Sequence, residues 1–379
     1  MIIINIMLSK NSETKPMFKN IEFIRIVACL AIVFAHLTSA LASLSTSTPL
    51  LHKLAHMSSQ GGRAVELFFI ISGFLFGLKF LPTQSLFEFL KKKFIRLWPV
   101  AIFVMFLSYL LSFTKLFTFD MYQAILNLLG FFGIGLVTDK SLLHWSILGQ
   151  FWYVSSMLGA MILYFYLLKH FDKKISNFAI GLITYFSYCL IVFTGDMHPT
   201  LKVYGVFNIG LLRGLGGVGL GYFIAMLYKN YGKEIAETKF NIKQVLFVSV
   251  FEFICLYFTI NNLFLHKIKF DNPIIYVVNF TILVTLFIFK KGIFSNLLNL
   301  SVWNKFSKYT YSIYMVHCLC LLTTANYIYG HYLDYLLQHQ IIGVVIALSI
   351  CMISGILIYH FVEIPMKKYL TNLNFRKNS

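Results

Sequence analysis

The chain has 379 residues, of which 58% are hydrophobic and 12% are charged, whereas an ordinary soluble domain has about 25% charged residues. Together with a mean hydropathy of +0.76, this composition excludes an ordinary soluble enzyme, because one folded core cannot hide so much apolar surface. The net charge of +18 does not indicate nucleic acid, since the basic residues lie in short clusters between apolar segments. We therefore expect membrane lipid around this chain, and no nucleic acid among its partners.

Ten apolar segments are long enough to cross about 30 Å of hydrocarbon, which takes roughly 17 to 25 helical residues. They predict an all-α integral membrane protein with about ten transmembrane helices in one membrane domain. The predicted spans cover residues 21–42, 64–81, 94–113, 149–168, 177–194, 205–228, 245–264, 273–290, 309–329 and 341–362.

The basic residues predict the topology, because Lys and Arg accumulate in cytoplasmic loops. With ten spans, 22 of the 32 Lys and Arg residues fall on the side of the N-terminus, 7 on the other side and 3 within spans. This bias would collapse if residues 121–137, an eleventh apolar segment, also crossed. We therefore expect residues 121–137 at the outer face and both termini in the cytoplasm. The predicted membrane domain covers 21–365, between a cytoplasmic segment at 1–20 and a basic cytoplasmic tail at 366–379.

Ionisable residues within spans are candidates for function, since each costs about 2.5 to 3.5 kcal/mol at a helix centre. Arg25 and His36 are eleven residues apart, so they share one face of the first span, about 16 Å apart along its axis. Arg25 is expected near the cytoplasm and His36 toward the outer leaflet. The alternative is a snorkelling arginine and a structural histidine.

Glu66 enters the second span from outside at the depth that His36 reaches. The sequence leaves two partners open for this carboxylate. It pairs either with His36, whose tautomer it would fix as in a catalytic triad, or with Arg63 in a salt bridge at the interface.

Lys93 and Arg96 lie three residues apart at the cytoplasmic start of the third span, so they share a helix face near the depth of Arg25. A cationic cluster of this kind suits phosphate or pyrophosphate. The neighbouring Lys91 and Lys92 are interpreted as flanking charges that orient the span.

Six short motifs occur in a fixed order along most of the chain. They are Arg25 and His36 with ten residues between them, ELFFIISGFLFG, Lys93 and Arg96 before WP, FWYVSSML, YSIYMVH and FVEIP. In this order they resemble the membrane acyltransferase 3 family, without its appended SGNH domain. The resemblance implies a multi-pass O-acetyltransferase of the bacterial cytoplasmic (inner) membrane. It would transfer an acyl group, usually acetyl, from cytoplasmic acyl-CoA to a hydroxyl of O-antigen, lipooligosaccharide, capsule or exopolysaccharide, as surface glycan or lipid-linked sugar.

The resemblance also implies roles for individual residues. His36 and Glu66 would be catalytic, with His36 as general base or as transiently acylated nucleophile. Arg25, Lys93 and Arg96 would bind the phosphates of acetyl-CoA, the donor substrate. Supporting roles are expected for His317, Trp152, Tyr153, Ser155 and Glu363.

Arg213 is a further candidate on its own evidence, because it lies mid-span in LLRGLGGVGLGYF, where a buried arginine needs an acceptor or a cavity. The glycines around it are interpreted as sites of close helix packing. No H-E-x-x-H motif or paired-carboxylate spacing occurs, so we expect no metal and no permanently bound cofactor.

A transporter or flippase for polysaccharide or lipid-linked sugar is the main alternative function. It would also have ten spans, intramembrane Arg and His, and a basic inner face. Transporters of this kind commonly consist of two matching halves with broken helices. The chain shows no such duplication, and its motifs cluster in the first three spans, which favours the acyltransferase.

Overall fold

The computed structural model describes residues 18–42, 49–114, 119–130, 149–195, 197, 203–204, 207–265, 272–325, 331, 335 and 339–375. In chain order, the α-helices of this part of the chain are α1 (Lys19–Ala42), α2 (Pro49–Ser58), α3 (Val65–Lys79), α4 (Leu86–Ser112), α5 (Met121–Leu128), α6 (Trp152–His170), α7 (Lys173–Thr194), α8 (Ile209–Glu237), α9 (Ile242–Ile260), α10 (Ile274–Phe289), α11 (Ile293–Leu297), α12 (Val302–Ser307), α13 (Thr310–Thr323), α14 (Gln340–Ile358) and α15 (Ile364–Phe375).

Short non-α elements connect some of these helices. Gly61–Ala64 and Gly149–Phe151 form 3-10 turns, and Asn261–Leu265 and Tyr359–Glu363 form π-helical turns. Two strands of two residues each, β1 (Val203–Tyr204) and β2 (Phe207–Asn208), pair antiparallel, with Val203 opposite Asn208 and Tyr204 opposite Phe207. Helix therefore dominates the described structure, as predicted.

The predicted spans coincide with the apolar helices. Within the described residues, eight helical segments are long and apolar enough to cross a membrane, and α10 and α13 are shorter apolar helices. The eight are Lys19–Ala42, Pro49–Lys79, Leu86–Ser112, Gly149–His170, Lys173–Thr194, Ile209–Glu237, Ile242–Leu265 and Gln340–Leu373. Each of the ten predicted spans overlaps one of these ten elements, which confirms an all-α integral membrane protein.

The eleventh apolar segment is only partly described. Its first part forms α5, whose eight residues extend about 12 Å and cannot cross about 30 Å of hydrocarbon. Residues 131–137 of the predicted segment lie outside the described residues. The placement of residues 121–137 at the outer face therefore stays a prediction.

Helices α1 and α13 run parallel to each other, which bears on the topology. Arg25, early in α1, contacts Thr310 at the start of α13, while His36, eleven residues later, contacts His317 further along α13. Two parallel helices are separated by an odd number of membrane crossings, and the predicted topology places seven spans between them. One additional crossing would make the pair antiparallel. The same contacts confirm that Arg25 and His36 share one face of α1.

Helix α8 occupies the middle of the bundle, where it packs against α3, α6, α7 and α10. Its approach to α3 depends on glycine. A Cβ on Gly73 of α3 would overlap the carbonyl oxygen of Val218, and a Cβ on Gly221 of α8 would overlap that of Ile70. The glycine-rich run of α8 therefore serves close helix packing, as predicted.

Peripheral helices present aromatic side chains on the outside of the bundle. Phe193 of α7 is 84% exposed and Phe247 of α9 is 66% exposed. Such side chains are costly in water and stable in a hydrocarbon layer. The outer surface of the bundle is therefore suited to lipid, and the polar side chains of interest lie inside.

Candidate active site

Two histidines from distant parts of the chain meet inside the bundle. Nδ1 of His36, on α1, lies 3.0 Å from Nε2 of His317, on α13. His317 is fully buried, and its Nδ1 lies 2.5 Å from the backbone carbonyl oxygen of Tyr314, one turn earlier. His317 was predicted only to support the site, and the structure makes it the direct partner of His36.

The backbone carbonyl of Tyr314 indicates which ring nitrogens of His317 and His36 carry protons. A backbone carbonyl only accepts hydrogen bonds, so Nδ1 of His317 carries the proton that is donated to Tyr314. Nε2 of neutral His317 then has a lone pair, and Nδ1 of His36 donates to it. The lone pair of the His36 ring is consequently on Nε2, where a general base or nucleophile needs it.

Cys318 is the third polar group beside the histidine pair. Its Sγ lies 3.4 Å from Nε2 of His317, and the donor atoms of His36, His317 and Cys318 all lie within 4.8 Å of one another. Two imidazole nitrogens on one tetrahedral zinc ion, at about 2.05 Å each, are about 3.3 Å apart. The separation of 3.0 Å fits a hydrogen bond better. We interpret the group as a hydrogen-bonded pair, and the expectation of no metal stays a prediction.

Glu66 is fully buried, and its partners differ from both predicted ones. Its Oε1 accepts from Nε of Arg213 at 2.5 Å, and its Oε2 accepts from the hydroxyl of Tyr188 at 3.2 Å. The predicted pairing of Glu66 with His36 and the alternative salt bridge to Arg63 are therefore both wrong. A carboxylate without water is stable only beside a cation and donors, and α8 rather than α1 supplies the cation.

Arg213 lies near an end of its helix and not mid-span as predicted. Helix α8 begins at Ile209, because the side chain of Asn208 caps it by accepting from the backbone N–H of Leu211. Arg213, 3% exposed, also donates from Nη1 to the carbonyl oxygen of Met197. Its guanidinium carbon lies 5.0 Å from the centre of the Trp152 ring, so the predicted supporting residue Trp152 contacts this cluster.

Tyr153 connects the two ends of the site. Its hydroxyl lies 3.0 Å from Oγ of Ser72, and its ring is 5.9 Å from that of Tyr314, which contacts His317 in turn. Ser155 is buried and donates to backbone carbonyls of its own helix. The structure thus places Tyr153 within the site, whereas Ser155 belongs to helix packing.

The predicted basic residues gather near the other end of α1. Arg25 forms a salt bridge of 2.7 Å with Glu22, and Arg96 of α4 lies within electrostatic range of Arg25, Tyr153 and Glu363. Arg96 is nevertheless exposed to solvent. Arg96 therefore combines an exposed side chain with charged and polar neighbours on other helices.

Lys93 belongs to the same basic end. Its ammonium lies 5.5 Å from the centre of the Phe89 ring and within electrostatic range of Arg96 and Lys79. Lys79 ends α3, and sequence reasoning missed it because the residue falls inside the second predicted span. Lys79 lies in the last turn of α3, and this position near the end of the predicted span could have indicated that Lys79 belongs to the basic cluster.

Glu363 is anchored beside this basic cluster. Its Oε2 accepts from the hydroxyl of Ser312 at 2.6 Å, and it lies in the π-helical turn Tyr359–Glu363 that precedes α15. Ser312 lies in the YSIYMVH motif and Glu363 in FVEIP. The two C-terminal motifs are therefore joined by a hydrogen bond.

The motifs quoted for the resemblance thus come together in space, and comparison with known proteins agrees with them. The model of the acyltransferase 3 family, described as an acyltransferase domain, matches residues 18–360. The chain belongs to the acyltransferase 3 family. No curated protein and no solved structure shows a significant match to this acyltransferase.

Family membership and the helices together show a multi-pass membrane acyltransferase. They do not favour the alternative of a transporter or flippase. Within the acyltransferase, the site residues form a row: Lys93, Arg96 and Arg25 at one end, Tyr153 and Tyr314 in the middle, and His36 with His317 beyond them. The cluster of Glu66 and Arg213 adjoins Tyr314.

Sequence reasoning missed two partners in this row. Tyr188, which donates to Glu66, lies in a span without any recognised motif, and no local pattern could have revealed it. Tyr314 stands one helical turn before His317 in YSIYMVH. The spacing of three residues placed the Tyr314 carbonyl beside the ring, and this signal was available in the sequence.

Proposed function

We propose that this acyltransferase moves an acetyl group from acetyl-CoA, bound at the cytoplasmic face, to a hydroxyl of an extracytoplasmic carbohydrate. O-antigen, lipooligosaccharide, capsule or exopolysaccharide is the proposed acceptor class, as surface glycan or lipid-linked sugar, and the bacterial inner membrane is the proposed location. Family membership supports acyl transfer. The donor, the acceptor and the direction rest on the arrangement of residues along the bundle and on the family resemblance.

The contact geometry of the histidine pair, from which the proton positions are inferred, is the observation that carries the proposal. Nδ1 of His317 donates a hydrogen bond to the carbonyl oxygen of Tyr314, and Nε2 of His317 accepts one from His36. His36 therefore presents a lone pair on Nε2 without any change of tautomer. An imidazole in this tautomer can accept a proton or attack a carbonyl through Nε2, as a general base or nucleophile requires.

The proposed reaction uses this lone pair. As a general base, Nε2 of His36 takes the proton of the sugar hydroxyl while the hydroxyl oxygen attacks the thioester carbonyl; the carbon–sulfur bond breaks, and the thiolate of CoA takes up the proton. As a nucleophile, Nε2 attacks the thioester carbonyl, and the carbon–sulfur bond breaks to release the CoA thiolate. In a second step the sugar hydroxyl attacks the acetyl carbon, the carbon–nitrogen bond to His36 breaks, and the hydroxyl proton passes to the thiolate. In both routes His317 orients the ring and stabilises the positive charge that develops on it.

The basic end is the proposed site for the phosphates of acetyl-CoA. The exposed Arg96 lies beside Arg25, and Lys93 and Lys79 add positive charge at the same end. Arg25 and His36 share one face of α1 and lie about 16 Å apart along its axis. An extended thioester arm that follows this face past Tyr153 would bring its carbonyl to His36.

Replacement of His36 by Ala tests the proposal. Purified His36→Ala in lipid nanodiscs should release CoA from acetyl-CoA at least about 100-fold more slowly than the wild type, since positioned acid–base groups contribute about 100- to 10,000-fold. His170→Ala, an exposed histidine at the end of α6, is the matched control and should keep wild-type turnover.

Mass spectrometry of surface glycan supplies the second measurement. Deletion of the gene should remove an acetyl ester, wild-type complementation should restore it, and His36→Ala should fail to restore it although the protein reaches the membrane. Normal acetylation by His36→Ala would remove His36 from the chemistry. Acetylation unchanged by the deletion would contradict the proposed acceptor class.

A further inference from the structure

Two arginines beside the histidine pair have buried nitrogens without hydrogen-bond partners. Among the described residues, no group accepts from Nη2 of Arg213 or from Nη1 of Arg63, although both atoms are shielded from solvent. Arg213 is 97% buried as a residue. Charged donors inside a protein are normally satisfied, so we expect these two nitrogens to take an acceptor from outside the described residues.

The two guanidinium groups lie in the same part of the bundle. The Arg63 guanidinium stacks over the ring of Tyr276 at 3.9 Å, and it lies within electrostatic range of Arg213. Arg213 stacks over Trp152. Both guanidinium groups therefore pack against an aromatic face, an arrangement that favours the charged form of the side chain.

The charge of the cluster is also unbalanced. Arg63 and Arg213 carry two positive charges, and Glu66 supplies one negative charge through its salt bridge to Arg213. Within the described part of the chain, one positive charge of this cluster has no balancing carboxylate. A single oxyanion would balance this charge, and its oxygens could accept from the two partnerless nitrogens.

The cluster adjoins the proposed catalytic histidine. Gly61, two residues before Arg63, is packed so tightly on α1 that a Cβ there would lie 2.7 Å from Cβ of Ala35, the residue next to His36. Arg213 lies within electrostatic range of Tyr314, whose ring is 5.5 Å from that of His317. A ligand held by the two arginines would therefore lie close to the histidine pair.

We propose that Arg63 and Arg213 form a subsite for the singly charged oxyanion of an acidic sugar, the carboxylate of the acceptor in the acyl transfer. The identification of this ligand as the acceptor rests on the proposed function. A sugar carboxylate is favoured over a lipid headgroup because Arg213 is buried inside the bundle, beside the histidine pair, and not on the outer surface that is suited to lipid. Its two oxygens match two donors on different arginines.

Binding of two matched sugars tests this subsite without any turnover. The full-length acyltransferase in phosphatidylcholine nanodiscs is titrated with methyl glucuronide and with methyl glucoside, whose ring carries a hydroxymethyl group in place of the carboxylate. The wild type should bind the glucuronide at least about tenfold more tightly, as expected for a charge-assisted hydrogen bond. Equal affinity for the two sugars, or binding of neither, overturns the proposal.

Substitution of Arg63 tests whether this residue causes the preference for the glucuronide over the glucoside. Arg63→Gln should abolish the preference for the glucuronide, and Arg63→Lys, which keeps the charge and loses the fork of donors, should retain part of it. Lys243→Gln, an exposed residue at the start of α9, is the control and should bind like the wild type. A preference that survives Arg63→Gln overturns the proposal, and if this variant does not fold, the graded loss in Arg63→Lys decides.

Titration with glycerophosphoglycerol, a phosphodiester that corresponds to a lipid headgroup, tests whether the oxyanion comes from a phospholipid. This phosphodiester should bind more weakly than the glucuronide, and tighter binding would assign the arginines to a phospholipid and overturn the acidic sugar. Release of CoA is measured separately on the same samples. Failure of the wild type to consume acetyl-CoA would count against the proposed function, whereas the binding results stand without it.

Discussion

The tautomer of His36 depends on His317. Nδ1 of His317 is committed to the Tyr314 carbonyl, so its Nε2 can only accept, and His36 must donate through Nδ1. The ring of His36 could otherwise carry its proton on either nitrogen. His317 is therefore a positioning residue, and its removal should affect the chemical step more than donor binding.

The first prediction compares two substitutions of this residue. His317→Phe removes the acceptor and should lower kcat at least about 100-fold, while the KM for acetyl-CoA changes less than about twofold. His317→Gln offers a carbonyl oxygen to Nδ1 of His36 and should recover part of the rate. Steady-state kinetics of purified variants measure both parameters.

Cys318→Ala is the matched control for the histidine substitutions. It removes the third donor atom of the His36, His317 and Cys318 group and leaves the hydrogen-bonded pair in place. Activity close to that of the wild type is expected. A loss as large as that of His317→Phe, together with zinc in the purified wild type, would show a metal site, and equal activity of the Phe and Gln variants would refute positioning by His317.

At this scale the sequence predicted the position of some residues on their helices but not how the residues pair. The eleven-residue spacing of Arg25 and His36 correctly placed both on one helix face, because helical periodicity is local. The partner of Glu66 was missed, because the choice among His36, Arg63 and Arg213 depends on how α3 packs on α8. The depth of Arg213 was also missed, since the cap at Asn208 shifts the start of α8.

At the scale of helices, the contact between α3 and α8 holds Glu66 opposite Arg213. This contact is possible because Gly73 and Gly221 let the two backbones meet. In a bilayer the gain on helix association comes mainly from such close packing and from interhelical hydrogen bonds. Added volume at this contact should therefore separate the helices and weaken the ion pair between them.

The second prediction concerns one methyl group at this contact. Gly221→Ala should destabilise the protein by about 1–3 kcal/mol, because the new Cβ overlaps the backbone of α3. Gly181→Ala is the matched control, since a Cβ there meets only the Phe223 ring at 3.6 Å; it should be neutral or slightly stabilising. Thermal unfolding in detergent compares the variants, and equal stability would contradict the close approach.

Across the whole molecule, the arrangement of the helices agrees with the charge bias of the loops. The charge count predicted ten spans, and the parallel packing of α1 and α13 agrees with seven crossings between them. The orientation of the bundle in the membrane rests on the positive-inside rule alone. By that rule, we expect the basic end with Arg96 in the cytoplasm and the histidine pair toward the outside.

Reporter fusions test this orientation. A fusion after Lys140, which lies outside the described residues, should be extracytoplasmic, and a fusion after Asp172, between α6 and α7, should be cytoplasmic. Alkaline phosphatase activity, which requires export, should be high for the first fusion and low for the second. Fusions of green fluorescent protein at the same two positions should show the opposite pattern, with low fluorescence at the first and high fluorescence at the second. A cytoplasmic reporter after Lys140 would show that residues 121–137 cross the membrane.

The distance between His36 and His317 along the chain has a consequence during synthesis. The two residues are separated by 281 positions, which takes roughly 14 to 56 s at a translation rate of about 5–20 residues per second. Throughout this interval the inserted α1 exposes His36 without the residue that fixes its tautomer. The hydrogen-bonded pair of His36 and His317 therefore forms only after nearly the whole chain has been synthesised and α13 has packed against α1.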